Sequence, residues 1–226
     1  MKYAPRKHHR RSIRLKGYDY SWAGAYFVTV VAQDRACLFG EVVDGEMRLN
    51  DAGRMVAAEW EELPKRLPNV ELDAFVVMPN HVHGVIIITD NNPVTAVGTG
   101  GADVGAGLVP APDRPPTRAT TGATTGATTG ATTRVAPTVG DIIGAFKSRI
   151  TVQYIRGVKT LGWPPFDGHV WQRNYYEHII RDDDALNRIR EYIADNPARW
   201  DMDRENPDVV GAVREPPLKK DESWRV

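Results

Sequence analysis

The sequence predicts an α+β domain in which an antiparallel sheet carries helices on one face and a further helix follows at the C-terminal end. Strand-like apolar segments and amphipathic helices occur in the order strand, helix, strand, strand, helix, strand, helix. This order is the split pattern of ferredoxin-like and RRM-like sheets. Because the other segments of the 226-residue chain are poor in apolar residues, we expect one small domain.

The first half of the pattern consists of a strand, a helix and a hairpin. These elements are predicted at Ala25–Ala32 for the strand, Asp51–Lys65 for the helix, and Glu71–Met78 and His81–Thr89 for the hairpin. The first strand is a continuous apolar run, and the helix has an N-cap residue in Asn50 or Asp51. Pro79 and Asn80 are turn residues, so they separate the two hairpin strands.

The second half of the pattern adds a helix, a strand and a last helix. These elements are predicted at Val139–Tyr154 for the helix, Val170–Ile180 for the strand, and from an Asp183 or Asp184 cap to Asn196 for the last helix. Ile142, Phe146 and Ile150 recur at helical spacing. The strand is rich in aromatic and β-branched residues. Pro197 ends the last helix because proline cannot continue it.

Three segments fall outside this pattern and bound the predicted domain at residues 21–200. Residues 1–20 form a basic N-terminal arm, whose first 16 residues hold seven lysines or arginines and no acid. Residues 91–137 are Gly-, Ala-, Thr- and Pro-rich and repeat Ala-Thr-Thr-Gly, so they read as a disordered insertion. Residues 201–226 lack periodicity and are predicted to be a flexible tail.

The composition narrows the functional classes. Lys plus Arg and Asp plus Glu both number 29, so the net charge of zero does not indicate a partner. The single cysteine, Cys37, excludes an intrachain disulfide and a cysteine-rich zinc site. No segment approaches the roughly 20 apolar residues of a membrane helix. We therefore expect a cytoplasmic protein with no membrane partner.

A histidine pair lies in the third predicted strand. Residues two apart on a strand point to the same face, so His81 and His83 can converge on one ion while Val82 packs on the opposite face. His-x-His also occurs on strands without a metal. The pair alone therefore leaves a metal site and an incidental arrangement both open.

The last helix carries a second pair of polar residues. Tyr192 and Asn196 are four residues apart and so lie one turn apart on the same helix face. A phenol and an amide oxygen could serve as nucleophile and metal ligand. The alternative is that Tyr192 packs beside the apolar stripe and that Asn196 only ends the helix before a proline.

Four segments together identify a resemblance to a known family. In chain order they are Met78-Pro-Asn-His-Val-His-Gly-Val, Gly144-Ala-Phe-Lys-Ser, Val170-Trp-Gln-Arg-Asn-Tyr-Tyr-Glu-His-Ile-Ile-Arg and Tyr192-Ile-Ala-Asp-Asn-Pro. They resemble the REP-associated tyrosine transposases, relatives of the single-tyrosine HUH transposases. The resemblance covers roughly residues 10–200 apart from the insertion, and the tail has no counterpart in it.

The resemblance implies a metal-dependent enzyme that cuts and rejoins single-stranded DNA. His81, His83 and Asn196 would hold a divalent ion, and Tyr192 would form a 5′-phosphotyrosine intermediate. Related transposases often have Gln where Asn196 stands, and Asn is one methylene shorter. Two imidazoles favour Mn²⁺, whereas Mg²⁺ is the more abundant ion. The implied partner is hairpin DNA of the REP type, the implied location is the nucleoid, and a homodimer is compatible with the sequence.

Basic residues supply the candidate DNA contacts, since Lys and Arg provide most sequence-independent affinity for phosphates. The candidates are Arg11, Arg14, Lys147, Arg149, Arg173 and Arg181. Trp22, Trp171 and Tyr175 could stack on unpaired bases. The two tryptophans are equally compatible with the core.

Two tyrosines in the predicted fourth strand, Tyr175 and Tyr176, are rival nucleophiles, although packing or base stacking fits them better. His178 could be a further ligand or a proton shuttle, but a structural or DNA-contacting role fits a strand histidine better.

Two other functions stay open: a non-catalytic regulator that binds hairpin DNA or RNA on the same fold, and a rolling-circle initiator or relaxase. The intact histidine pair with Tyr192 disfavours the first, and the motif order disfavours the second.

Overall fold

The computed structural model describes residues 22–89 and 137–210. Arg11, Arg14 and the rest of the basic arm lie outside the described residues, as do most of the insertion and the end of the tail. The boundaries of the arm and the insertion therefore stay predictions. None of the described helices is long and apolar enough to cross a membrane.

Within the described residues, six strands form two sheets. Their bounds are Gly24–Val31 (β1), Gly40–Val43 (β2), Glu46–Leu49 (β3), Val70–Val77 (β4), His81–Ile88 (β5) and Tyr176–Ile180 (β6). The main sheet has the order β4-β5-β1-β6, and every neighbouring pair in it is antiparallel. Four strands in this order, with helices in the two crossovers, confirm the predicted fold class.

Five α-helices accompany the strands in the part of the chain that the structure describes. Their bounds are Asp51–Glu61 (α1), Leu63–Arg66 (α2), Val139–Leu161 (α3), Asp183–Asp195 (α4) and Pro207–Val210 (α5). Asn50 caps α1, since its side chain accepts a hydrogen bond from the Gly53 N–H at 2.8 Å. The single helix predicted over Asp51–Lys65 is wrong: Pro64, which has no N–H to donate, lies in the first turn of a separate helix.

The two longer helices differ from their predicted ends. α3 runs past the predicted end at Tyr154 and stops only at Gly162, whose left-handed φ of 70° suits a C-terminal glycine. The apolar stripe fades after Tyr154, but no residue before Gly162 breaks the helix. α4 is capped by Asp182, whose carboxylate accepts from the Ala185 N–H at 2.7 Å, and not by the predicted Asp183 or Asp184.

The fourth strand is shorter than the predicted Val170–Ile180, because β6 begins at Tyr176. Trp171 forms only an isolated bridge with Ala32. Lys147 on α3 donates to the backbone carbonyl oxygens of Gln172 at 3.0 Å and Asn174 at 2.7 Å. The carbonyl groups of this irregular segment thus bind a side chain of α3.

The short hairpin of β2 and β3 was not predicted. Each strand has four residues, so the alternating pattern is too brief to stand out. Its turn contains Asp44 and Gly45, which have positive φ values of 53° and 77°. An Asp-Gly pair is the usual signal for such a turn.

The main sheet is covered on both faces. The face packed by α1 and α3, here called the packing face, holds the larger apolar cluster, including Trp60, Phe146 and Trp171. The opposite face, here called the α4 face, holds a smaller cluster that α4 covers with Leu186 and Ile189. The helices predicted on one face are therefore α1 and α3, and the additional C-terminal helix covers the other face.

At Gly84, the backbone of β5 lies directly against the side chain of Trp60 from α1. A Cβ atom at this position would lie 2.3 Å from Cζ2 of Trp60, which is buried on the packing face. Only glycine leaves room for the indole against the strand backbone. The strand that carries the histidine pair is thus backed directly by a tryptophan.

The chain after α4 is folded where it was predicted to be a flexible tail. A 3₁₀ turn covers Pro197–Met202, and α5 follows it. Asn206 is buried, and its side chain donates to the Trp200 carbonyl oxygen at 3.0 Å. The predicted start of the tail at residue 201 is therefore wrong, while residues 211–226 lie outside the described part of the chain.

Candidate active site

Strand β5 presents the histidine pair on the α4 face. His81 and His83 have ring centroids 4.5 Å apart, while the intervening Val82 belongs to the cluster on the packing face. This confirms the alternation expected for a strand. In the sheet register, Thr29 on β1 lies between His83 on one side and Tyr176 on the other.

The hydrogen bonds of Asn80 determine which nitrogen of His81 carries a proton. The Asn80 Nδ2 group donates to the carbonyl oxygens of Arg35 at 3.0 Å and Glu205 at 2.7 Å, which fixes the orientation of the amide. Its Oδ1 lies 2.8 Å from Nδ1 of His81 and must accept from it. Nε2 of His81 therefore has a free lone pair.

His83 has an equivalent arrangement. Its Nδ1 lies 2.8 Å from Oγ1 of Thr29, and its Nε2 lies 3.3 Å from the phenolic oxygen of Tyr192. A phenol that donates to Nε2 requires Nδ1 to carry the proton and to donate to Thr29. The imidazole is held further by stacking on Phe27, at 5.4 Å between ring centroids.

The end of α4 brings Tyr192 and Asn196 to the histidines, as their spacing predicts. Tyr192 is half-buried, with its ring 5.2 Å from that of His83. Asn196 is the C-cap of α4 and is buried. The four residues proposed from the sequence as nucleophile and ligands therefore lie together, although their roles stay predictions.

Asp203, which the sequence analysis missed, also lies at this site. One ligand atom each from His81, His83 and Asp203 lies within 4.8 Å of the others, and this group could hold a metal ion. Oδ2 of Asp203 is 3.9 Å from Nε2 of His81. Its Oδ1 accepts from the Glu205 N–H at 2.6 Å, which orients the carboxylate.

The site has more buried acceptors than donors. Nε2 of His81 and Oδ1 of Asn196 are buried and have no hydrogen-bond partner among the described residues. The other unpartnered buried side-chain atoms of residues 22–89 and 137–210 are N–H donors: Trp60 Nε1, Asn69 Nδ2, Trp163 Nε1 and Trp171 Nε1. A buried acceptor without a donor costs free energy, which a cation among these atoms would offset.

The pKa values at the site reflect this burial. Burial lowers the pKa of His81 to about 4, although the charge of Glu205 opposes the shift. Burial and the neighbouring His81 hold the pKa of His83 well below its usual value. Both imidazoles are therefore neutral near pH 7 and have lone pairs available to a metal. Burial, then the charge of Asp203, raises the pKa of Tyr192 to about 12.

The rival nucleophiles lie on different faces of the sheet. Tyr175 precedes β6, packs against the cluster on the packing face and donates to Glu177 at 2.6 Å. Tyr176 packs against the cluster on the α4 face and is in register with Thr29, so it is the nearer rival. Burial, then the charge of Arg181, lowers the pKa of the half-buried His178.

The candidate DNA contacts of the described residues are spread over the packing face and the ends of β6. Lys147 and Arg149 lie on α3, Arg173 is exposed before β6, and Arg181 is exposed after it. Arg149 binds the buried Glu59 through Nε at 2.7 Å. The structure does not gather these cations around the histidine pair, and their DNA-binding role stays a prediction.

The residues missed by the sequence analysis left weak signals. Thr29 is a small polar residue within the apolar run of β1, which indicates a polar contact inside the fold. Asn80 is a residue type common in turns, and its buried hydrogen bonds are made to segments distant in the chain. Asp203 lies beyond a helix-ending proline, so no periodicity placed it near His81.

Among known proteins, the chain is similar to a bacterial protein over most of its length and to solved structures at lower identity. No model of a known protein family matches the chain. An uncharacterized protein of Haemophilus influenzae is 39% identical over 209 residues, which are 90% of this chain and 96% of that protein. The solved structure of a REP-associated tyrosine transposase bound to a REP hairpin has 17% identity and a TM-score of 0.43, over 84% of this chain and 74% of that one.

A Deinococcus radiodurans protein solved as a candidate transposase has 14% identity and a TM-score of 0.37, over 81% of this chain and 96% of its own. Both superpositions are partial, and neither assigns an activity to this chain. The likeness to the Haemophilus protein spans nearly all of both sequences. The chain belongs to the same family as that uncharacterized Haemophilus influenzae protein.

Proposed function

We propose that the protein is a metal-dependent endonuclease and strand transferase that acts on single-stranded or hairpin DNA through Tyr192. The observation that supports this proposal most is a phenol beside unpartnered acceptor atoms. The Tyr192 oxygen lies 3.3 Å from Nε2 of His83. Nε2 of His81 and Oδ1 of Asn196, at the same site, have no hydrogen-bond partner among the described residues. A buried acceptor without a donor costs free energy, and a bound cation would remove that cost.

The donor set fits a divalent ion. His81 and His83 would supply two nitrogens, Asn196 an amide oxygen and Asp203 a carboxylate oxygen, so Asp203 extends the ligand set predicted from the sequence. This mixture of imidazole and oxygen ligands suits Mn²⁺, and Mg²⁺ is the alternative. Such an ion supplies Lewis-acid polarisation of a phosphate and lowers the pKa of a neighbouring phenol.

The reaction needs no oxidant and no nucleotide. The Tyr192 oxygen forms a bond to phosphorus as the bond from phosphorus to the 3′-oxygen breaks, which leaves a 5′-phosphotyrosine and a free 3′-hydroxyl. Water takes the phenolic proton, and the departing oxygen takes one from water. Attack by a 3′-hydroxyl on the phosphotyrosine reverses the step and rejoins the strand.

The proposed function is tested by looking for a covalent protein–DNA adduct that survives denaturation. The protein is incubated with Mn²⁺ and a panel of oligonucleotides, each containing an imperfect palindrome between single-stranded flanks and each labelled at the 3′ end. Because the protein would remain on the 5′ phosphate of the 3′ fragment, the label should migrate with the protein. The same oligonucleotide labelled at the 5′ end should release a free labelled fragment.

Two variants identify the nucleophile. Tyr192→Phe should form no adduct, whereas Tyr176→Phe, which removes a hydroxyl from the same face of the sheet, should retain it. Adduct formation by Tyr192→Phe would show that Tyr192 is not the nucleophile. If the wild-type protein binds hairpins but forms no adduct with Mn²⁺ or Mg²⁺, the non-catalytic regulator becomes the better assignment.

A further inference from the structure

We propose that Asn80 is a positioning residue that presents His81 to the ion through Nε2 and holds the segment carrying Asp203 against β5. This inference rests on the proposed function only for the identity of what is bound. Asn80 is fully buried, whereas the sequence indicates only a turn residue at this position. Its side chain nevertheless joins three separate parts of the chain.

The first part is His81. Oδ1 of Asn80 accepts from Nδ1 of His81 at 2.8 Å. An imidazole whose Nδ1 carries the proton can offer only Nε2 to a metal, and a hydrogen bond to Nδ1 also fixes the ring orientation. On β1, Oγ1 of Thr29 lies 2.8 Å from Nδ1 of His83. When this hydroxyl accepts from Nδ1, both imidazoles present Nε2 toward the same space.

The second part is the segment after α4. Nδ2 of Asn80 donates to the Glu205 carbonyl oxygen at 2.7 Å, and the Glu205 carboxylate binds Nε of Arg35 at 2.9 Å. Asp203 lies two residues earlier and is oriented by the Glu205 N–H. The bond from Asn80 therefore places the Asp203 carboxylate next to the imidazole that the same amide orients.

The third part is the loop after β1. Nδ2 of Asn80 also donates to the Arg35 carbonyl oxygen at 3.0 Å, and the Asn80 carbonyl oxygen accepts from the Ala32 N–H at 2.7 Å. With two acceptors on Nδ2, the amide cannot turn over without placing its oxygen against two carbonyl oxygens. The orientation that protonates Nδ1 of His81 is therefore the stable one.

The experiment measures the imidazole nitrogens directly. Long-range ¹H–¹⁵N spectra of the metal-free full chain, labelled with ¹⁵N-histidine and assigned with His81→Gln and His83→Gln, report which nitrogen carries the proton. In wild type, Nδ1 of His81 should be protonated. If Nε2 is protonated instead, the proposal is wrong, whether or not the protein binds a metal or cleaves DNA.

Variants separate the two roles of Asn80. Asn80→Leu should give a mixture of tautomers at His81 and weaken Mn²⁺ binding, measured by calorimetry, about 10–100-fold. Asn80→Asp keeps an acceptor for Nδ1 but loses the donor to Glu205, so it should retain the tautomer while amide exchange at Glu205 and Asn206 accelerates. An unchanged tautomer and an unchanged Mn²⁺ affinity in Asn80→Leu would overturn the proposal.

A matched pair on β1 tests the parallel role of Thr29. Thr29→Val has nearly the same shape but lacks the hydroxyl, so it should change the tautomer at His83, whereas Thr29→Ser should preserve it. Failure of the wild type to bind Mn²⁺ would contradict the proposed function and not the tautomer assignment. The two proposals can therefore fail separately.

Discussion

The two faces of the main sheet satisfy their polar groups in opposite ways. On the packing face, the buried carboxylate of Glu59 accepts from Arg66, Arg149 and Gln153, and the unpartnered atoms of its tryptophans are N–H donors. On the α4 face, lone pairs at His81 and Asn196 have no donor among the described residues. Among the described residues, the packing face therefore leaves donors unpaired, whereas the α4 face leaves acceptors that a cation could satisfy.

Residues of the larger core and residues of the candidate site therefore lie on opposite faces of the same sheet. Adjacent residues of β5 point to opposite faces, so Val82 belongs to the core while its two neighbours belong to the site. A change on the packing face that leaves Trp60 in place should therefore alter the free energy of unfolding without altering metal affinity. A change at a proposed ligand on the α4 face should alter metal affinity more than stability.

The largest expected effect is a loss of stability from the packing face. Phe146→Ala removes a buried ring that contacts Trp60 and Trp171, so the free energy of unfolding should fall by about 3–5 kcal/mol in urea titrations. Ile155→Ala, on the outer side of the same helix, should cost far less. A large drop in the Mn²⁺ affinity of the folded Phe146→Ala protein would contradict the separation of the two faces.

The second-largest expected effect is the stabilisation of the protein by Mn²⁺. At a hundredfold excess of Mn²⁺ over its dissociation constant, wild-type stability should rise by about 2.7 kcal/mol. Asn196→Leu removes an unpartnered acceptor that is proposed as a ligand, so the Mn²⁺ effect on stability should shrink. Asn187→Leu, the same change at an exposed site on α4, should leave the Mn²⁺ effect intact.

The smallest effect tests the charged cluster of the packing face. Glu59→Gln should lower the free energy of unfolding by about 1–3 kcal/mol at pH 7, because charged hydrogen bonds to Arg149 and Arg66 are lost. The hydrogen bond from Arg149 holds the pKa of Glu59 below its usual value of 4.5. The contribution of Glu59 is therefore present above pH 4.5 and is lost as the pH falls through the lower folded-state value.

Urea titrations at pH 7 and below pH 4 measure this change. The difference between wild type and Glu59→Gln should narrow in acid, since both side chains are then neutral. A difference that stays constant over this range would show that the Glu59 charge contributes nothing to stability. Lys65→Gln, which changes a mostly exposed partner of Glu62, is the matched control.

Local patterns were sufficient to predict much of this fold. Strand alternation placed His81 and His83 together, and helical spacing placed Tyr192 above Asn196. Long-range contacts were not accessible in the same way: Lys147 binds two backbone carbonyl groups just before β6, and Asp203 reaches His81 only because the chain turns back after Pro197. Neither effect leaves a periodic signal in the sequence.

Gly84 has a consequence for which ions the site can accept. Trp60 fills the space where a side chain of residue 84 would stand, so β5 cannot move toward the packing face to widen the gap between the histidines and α4. The histidine atoms on the strand therefore have a nearly fixed spacing. At the proposed metal site, adjustment to the radius of an ion would fall to α4 and to the segment around Asp203.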